Sequence, residues 1–164
     1  MRKIFFLLCC VICAQSRASA QKIIPLETAS INGVAIITPV FDNLFKLLAA
    51  SRADFLATVK SLNYTQRTAT DTNIYHANIN GHNYDFTKTD KDVDIFFEQG
   101  ADYFTKLRDD FFIQYANATY KVMDNGTKIY FFSVTNELSE ITRYCIVFDL
   151  PADGSAGVTL VRRN

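Results

Sequence analysis

The chain predicts an α+β fold, an antiparallel sheet of about six strands with two to three helices packed on one face. Three observations carry that reading. Helix-period apolar stripes and period-two strand segments follow one another along the sequence. Asn-Gly stands between alternating residues at Asn80-Gly81 and again at Asn125-Gly126, the strongest short-range hairpin signal. After the first twenty residues nothing divides the chain, and a domain of ~150 residues buries about 68–70% of its unfolded surface, enough for one core.

Residues 1–20 read as a signal peptide. Met1-Arg2-Lys3 supplies the basic start, Ile4 to Ala14 the apolar core, and Ala18 and Ala20 the small residues that a signal peptidase requires. Cleavage after Ala20 leaves Gln21 first, and the expected location is the periplasm or the medium. The apolar run is too short for a membrane anchor, which takes about 20 residues. Neither that run nor any later one suggests an integral membrane protein. Lipidation is disfavoured, since no suitable small residue precedes Cys9, Cys10 or Cys13.

Residues 21–38 read as an extended leader turning at Asn32-Gly33, and residues 39–164 as a single α+β domain. Thr38 and Pro39 suit the N-cap and first position of a helix. Phe41, Leu44, Phe45 and Leu48 then form one apolar stripe. Ser51-Arg52-Ala53-Asp54 has the spacing of a capping box, with Phe55, Leu56, Val59 and Leu62 behind it. Two short helices, or one kinked helix, therefore cover 39–62.

A two-residue loop at Asn80-Gly81 would pair Ile79 with His82, Asn78 with Asn83, Ala77 with Tyr84, His76 with Asp85 and Tyr75 with Phe86. Tyr75, Ala77, Ile79, His82, Tyr84 and Phe86 would share the core face. His76, Asn78, Asn83 and Asp85 would share the other, turned to water or a ligand. Residues 91–97 alternate as a third strand. Gly100 opens a third helix with Phe104, Leu107 and Phe111 on its stripe. The same two-residue loop at Asn125-Gly126 would pair Val122 with Ile129 and Tyr120 with Phe131. Strands at 141–149 and 157–162 complete the chain, with a turn at Pro151-Ala152-Asp153-Gly154 between them.

Helix, hairpin and strand thus occur twice, and Thr72-Asn73-Ile74-Tyr75 echoes Thr127-Lys128-Ile129-Tyr130. A degenerate two-unit α-β repeat accounts for the echo. Two matched hydrophobic strands of an ordinary antiparallel sheet account for it more simply.

Loss of Arg2, Lys3 and Arg17 from the seventeen basic residues leaves a mature chain with a formal charge of −3 and no basic cluster, a poor match to nucleic acid. Three of the four cysteines leave with the signal. Cys145 remains alone, inside an apolar strand, so no intrachain disulfide can form.

The candidate chemistry centres on His76 and Asp85, because a carboxylate beside an imidazole orients it and raises its pKa. No nucleophile is placed beside them by the sequence, and cross-strand polar pairs are ordinary sheet features. No metal site is expected. Asp90, Asp92 and Asp94, with Glu98, lack the glycine of a calcium-binding loop and stand about 6.6 Å apart along a strand. No cofactor motif is present. Asn63, Asn117 and Asn125 each begin an N-glycosylation sequon. Fourteen Phe and eight Tyr with no Trp suggest a Phe-based core. Tyr64, Tyr103, Tyr115 and Tyr144 are left over for a recognition surface.

The resulting expectation is a small exported, non-catalytic binding or interaction module whose partner is a protein, peptide or glycan. Candidate ligand-binding residues are His76, Asn78, Asn83 and Asp85. The alternative is a small extracytoplasmic hydrolase using His76 and Asp85.

Overall fold

The computed structural model describes residues 21–67 and 73–163, so the signal peptide reading and Thr72 lie outside the described residues. Among the described residues, ten strands and three helices follow in order: β1 (Thr28–Ile31), β2 (Val34–Ile37), α1 (Phe41–Ala49), α2 (Arg52–Ser61), β3 (Thr65–Gln66), β4 (Ile74–Ile79), β5 (His82–Lys88) and β6 (Asp92–Phe97). Then come α3 (Ala101–Gln114), β7 (Thr119–Val122), β8 (Lys128–Thr135), β9 (Ile141–Asp149) and β10 (Ala156–Arg163). The main sheet is larger than expected, eight strands rather than six, and β1–β2 adds a second sheet of two. In the main sheet the strand without a sequence signal is β3, two residues long, and the leader hairpin that makes the second sheet is likewise too short to declare a period.

Strand order in the main sheet is β3-β4-β5-β6-β10-β9-β8-β7, antiparallel throughout. Counted outward from the central β6–β10 pair, both halves run backwards through the chain, which is the order of a two-unit repeat. The sequence echo falls on equivalent strands: Ile74-Tyr75 opens β4, and Ile129-Tyr130 lies near the start of β8. Tyr75 and Tyr130 both face the helices.

The core lies between this inner face and the helices. Tyr75, Ala77, Ile79, Tyr84 and Phe86 of the first hairpin are buried, with Val93, Ile95 and Phe97 of β6, against Leu44 and Leu47 of α1, Phe55 and Val59 of α2, and Phe104, Leu107 and Phe111 of α3. The leader is more than a tether. Ile36 and Ile37 of β2 are fully buried, and Tyr64, packed edge-on to Phe86, accepts a hydrogen bond from the Ile37 N–H at 3.4 Å. Burial raises the Tyr64 phenol far above its ordinary range, against the opposing bond from Ile37.

Helix α1 begins two residues later than Pro39, with Val40 at its N-cap and no side chain capping it. Thr38 does not cap it, because the Thr38 carbonyl, which an N-cap gives to the first helical bond, accepts instead from the Val40 N–H at 2.9 Å and from Asn43 Nδ2, while Leu44 N–H bonds the Val40 carbonyl at 3.1 Å. Buried Asn43 ties the region down. Its Nδ2 donates to Glu27 O (2.7 Å) and Thr38 O (2.8 Å), and its Oδ1 accepts from Glu27 N (2.9 Å). The second cap is as expected: Ser51 Oγ accepts from Asp54 N at 3.1 Å. Lys88, buried at the end of β5, donates to Leu48 O at 3.2 Å and so satisfies a carbonyl in the last turn of α1.

The second hairpin departs from its expected register by one residue. Tyr120 pairs with Tyr130 and Val122 with Lys128. Five residues rather than two form the connection, closed by Met123 N–H to Thr127 O and Gly126 N–H to Met123 O, both 2.9 Å. Among the described residues no helix is long and apolar enough to cross a membrane.

Candidate functional site

The outer face of the main sheet carries none of the described helices, and strand pairing arranges its side chains in rows. One row runs His76, Asp85, Phe96, Gly157, Asp149 across β4, β5, β6, β10 and β9. The next runs Ile74, Thr87, Asp94, Thr159, Val147, Ile129. At ~4.8 Å per strand, the first row spans roughly 19 Å.

The four sequence-derived candidates sit together at one end. His76 faces Asp85, and Asn78 faces Asn83, in the expected register. Asn78 Nδ2 donates to Asn83 Oδ1 at 3.0 Å, and Asn83 in turn gives both its backbone N–H and its Nδ2 to the Glu98 carboxylate at 2.8 Å each. Those bonds hold Glu98 below the usual carboxylate range.

Asp85 is paired to a residue that sequence reasoning did not consider. Arg67, just beyond β3, donates from NH1 to Asp85 Oδ2 at 3.0 Å, while Asp85 Oδ1 is buried without a hydrogen-bond partner. Among the described residues no hydrogen bond links the His76 and Asp85 side chains. Burial pushes the Asp85 carboxyl above its ordinary range, and the charges of Arg67 and His76 pull against that rise. A general base oriented by a carboxylate needs that hydrogen bond, so the arrangement serves ion pairing more directly than proton transfer.

Further along the same rows lies a cleft of about 430 Å³. Gly157 forms its floor, Phe96 and Asp149 flank the glycine, Asp94 and Thr159 stand in the adjoining row with Val147, and Asn125 and Thr127 of the β7–β8 connection line it too. The Thr159 hydroxyl donates to Asp94 Oδ1 at 2.7 Å. Burial raises the Asp94 carboxyl, the Thr159 bond opposes the rise, and the charges of Asp92, Asp149 and Asp85 add to it.

None of these cleft residues was singled out as a ligand set from sequence. Asp94 was noticed only as one of a spaced acidic series. Gly157 carried a signal, a glycine inside a strand beside the β-branched Val158 and Thr159, which marks a close backbone approach or a bulge. Among the described residues no three His, Cys, Asp or Glu are grouped so that they could hold a metal ion.

The tyrosines reserved for recognition are placed differently. Tyr64 is core, and Tyr103, Tyr115 and Tyr144 pack against it from the helix side. The outer face has Phe96 and Phe131 instead, the latter with the Arg163 guanidinium 4.8 Å from its ring centre. Asn63, Asn117 and Asn125 are all exposed. Comparison of the chain with protein-family models, with curated proteins and with solved structures finds no match.

Proposed function

We propose that this chain is an exported, non-catalytic binding module that meets a protein, peptide or glycan through the outer face of its main sheet. The observation that supports it most directly is the cleft over Gly157, continuous by strand pairing with the His76, Asp85, Asn78 and Asn83 cluster. The cleft's volume falls in the ~300–1,000 Å³ range of ligand clefts, while its lining of Asp94, Asn125, Thr127, Asp149 and Thr159 suits a polar group. Export rests on residues 1–20, and cleavage after Ala20 gives the working form.

The hydrolase alternative has less behind it, because Asp85 pairs with Arg67 rather than orienting His76. Native mass spectrometry of the protein purified from its own host tests both readings. The expected result is a chain beginning at Gln21 with a retained molecule that is lost in Phe96→Ala. A retained molecule indifferent to Phe96→Ala, or a hydrolytic turnover abolished by His76→Ala, would overturn the proposal.

A further inference from the structure

We infer that the cleft over Gly157 takes a guanidinium group, the arginine side chain of a peptide or protein partner. This rests on the outer face being the binding surface.

The floor comes first. Gly157 is buried in the central strand β10, where glycine weakens a sheet by leaving nothing to pack. The fold does not demand it. A Cβ built there would meet Ile95 O at 3.4 Å, Phe96 Cδ2 at 3.5 Å and Asp149 Cβ at 3.9 Å, all ordinary contacts, and its φ is not in the left-handed region. What the missing side chain provides is access, a bare stretch of backbone between an aromatic ring and a carboxylate.

The walls then select the occupant. Asp149 and Asp94 line the cleft, and no lysine or arginine does. A neutral ligand would leave those carboxylates uncompensated, whereas a cation relieves their mutual repulsion. A planar guanidinium can lie against a ring and meet a carboxylate through a two-pronged hydrogen bond, which a spherical ammonium cannot reproduce. The same sheet face already holds guanidinium groups of the chain's own arginines against a carboxylate and a ring: Arg67 through a single hydrogen bond to Asp85, and Arg163 over Phe131. The volume exceeds one guanidinium, so the neighbouring residues of the partner also find room.

The test uses the purified protein, amide chemical shifts, and three blocked tripeptides, Gly-Arg-Gly, Gly-Lys-Gly and Gly-citrulline-Gly. The arginine peptide is expected to move the amides of Phe96, Gly157 and Asp149. The citrulline peptide, of the same shape without the charge, should bind about tenfold more weakly, and the lysine peptide several-fold more weakly. Asp149→Asn should erase the preference for arginine over citrulline. Gly157→Ala should weaken arginine binding while thermal stability holds.

Equal binding of arginine and citrulline overturns the cation, and equal binding of arginine and lysine overturns the guanidinium. If a neutral saccharide moves the same amides and the arginine peptide does not, the face remains the binding surface and only its ligand class is wrong. If the partner retained in native mass spectra is also indifferent to Phe96→Ala, the surface itself is wrong.

Discussion

The two halves of the sheet share one strand order and differ in how they are covered. In the β3–β6 half every inward residue of β4 is buried, under α2 through the Phe55–Tyr75 ring contact and under Tyr64, itself held by the leader hairpin. In the β7–β10 half the cover is largely one aromatic hub. Phe111 of α3 meets Tyr130 and Phe132 of β8 and Phe148 of β9, while Phe45 of α1 meets Tyr144. The edge strand gains little from it: Tyr120 and Val122, on the inner side of β7, stay 58% and 50% exposed.

That difference explains why identical dipeptides made different turns. At Asn80-Gly81 both residues have positive φ, +54° and +85°, the two-residue turn that matches strand twist. At Asn125-Gly126 only Gly126 is in the left-handed region, at +83°, and Asn125 Oδ1 instead accepts the Thr127 N–H at 3.1 Å. Register is pinned where one face is buried, because a one-residue slip would turn that face to water. The β4–β5 pair is pinned in this way. All four residues of β7 are exposed, so the connection's own hydrogen bonds set the register there.

The largest test of this contrast is Phe111→Ala, expected to cost about 3–5 kcal/mol in denaturant unfolding. Hydrogen exchange should show β8 and β9 losing protection ahead of β4 and β5. Equal loss in both halves would mean that they fold as one unit and that the hub is not local.

Next is Asn43→Ala, which leaves the Glu27 N–H without its partner, removes one of the two bonds to the Glu27 carbonyl and should cost about 1–3 kcal/mol. Its signature is faster exchange in β1 and β2, reaching the first half through Tyr64. The turns give a smaller, paired test. Asn80→Ala forces alanine into left-handed backbone and should cost about 1 kcal/mol, whereas Asn125→Ala should cost about 0.5 kcal/mol. Similar costs would contradict the assignment of two turn types.

The smallest effect is a pH dependence at the seam between the halves. The Asp94 carboxyl is raised in the folded state, so the native protein holds its proton at pH values where the unfolded chain has released it. Stability from this group is therefore greatest at or below the ordinary carboxylate range and falls as pH rises through the raised folded value. Unfolding midpoints of the parent, measured against Asp94→Asn from pH 7 downward, should move in the parent's favour over that window. A constant difference would mean that Asp94 is not perturbed.

The local pattern was legible wherever burial is one-sided and periodic. The first hairpin with its register, the stripes of the three described helices and the N-cap at Ser51 could be read from residue spacing, because each is set by neighbours within about ten positions. The His76, Asn78, Asn83 and Asp85 cluster followed from that register. The Arg67 contact to Asp85 did not, since it joins residues eighteen apart, reaching from the end of a two-residue strand past β4 to β5. The start of α1 was misjudged because the Thr38 carbonyl is taken by the Val40 N–H and the Asn43 side chain, which outweighs the local capping preference.

By itself, the chain's sequence determined its class, its helices and which faces of the first hairpin and of β6 would be buried, all consequences of side-chain polarity repeating at a fixed period; for β8 it put Ile129 and Phe131 on the core face, and the structure turns them outward. The tertiary structure decided the pairing of β6 with β10, and with it the cleft. Phe96, Gly157 and Asp149 come from three strands spread over more than fifty residues of sequence, and they became neighbours only when two separate meanders met edge to edge. No periodicity encodes that meeting, because the strand order depends on which edges the pairing within each half leaves open.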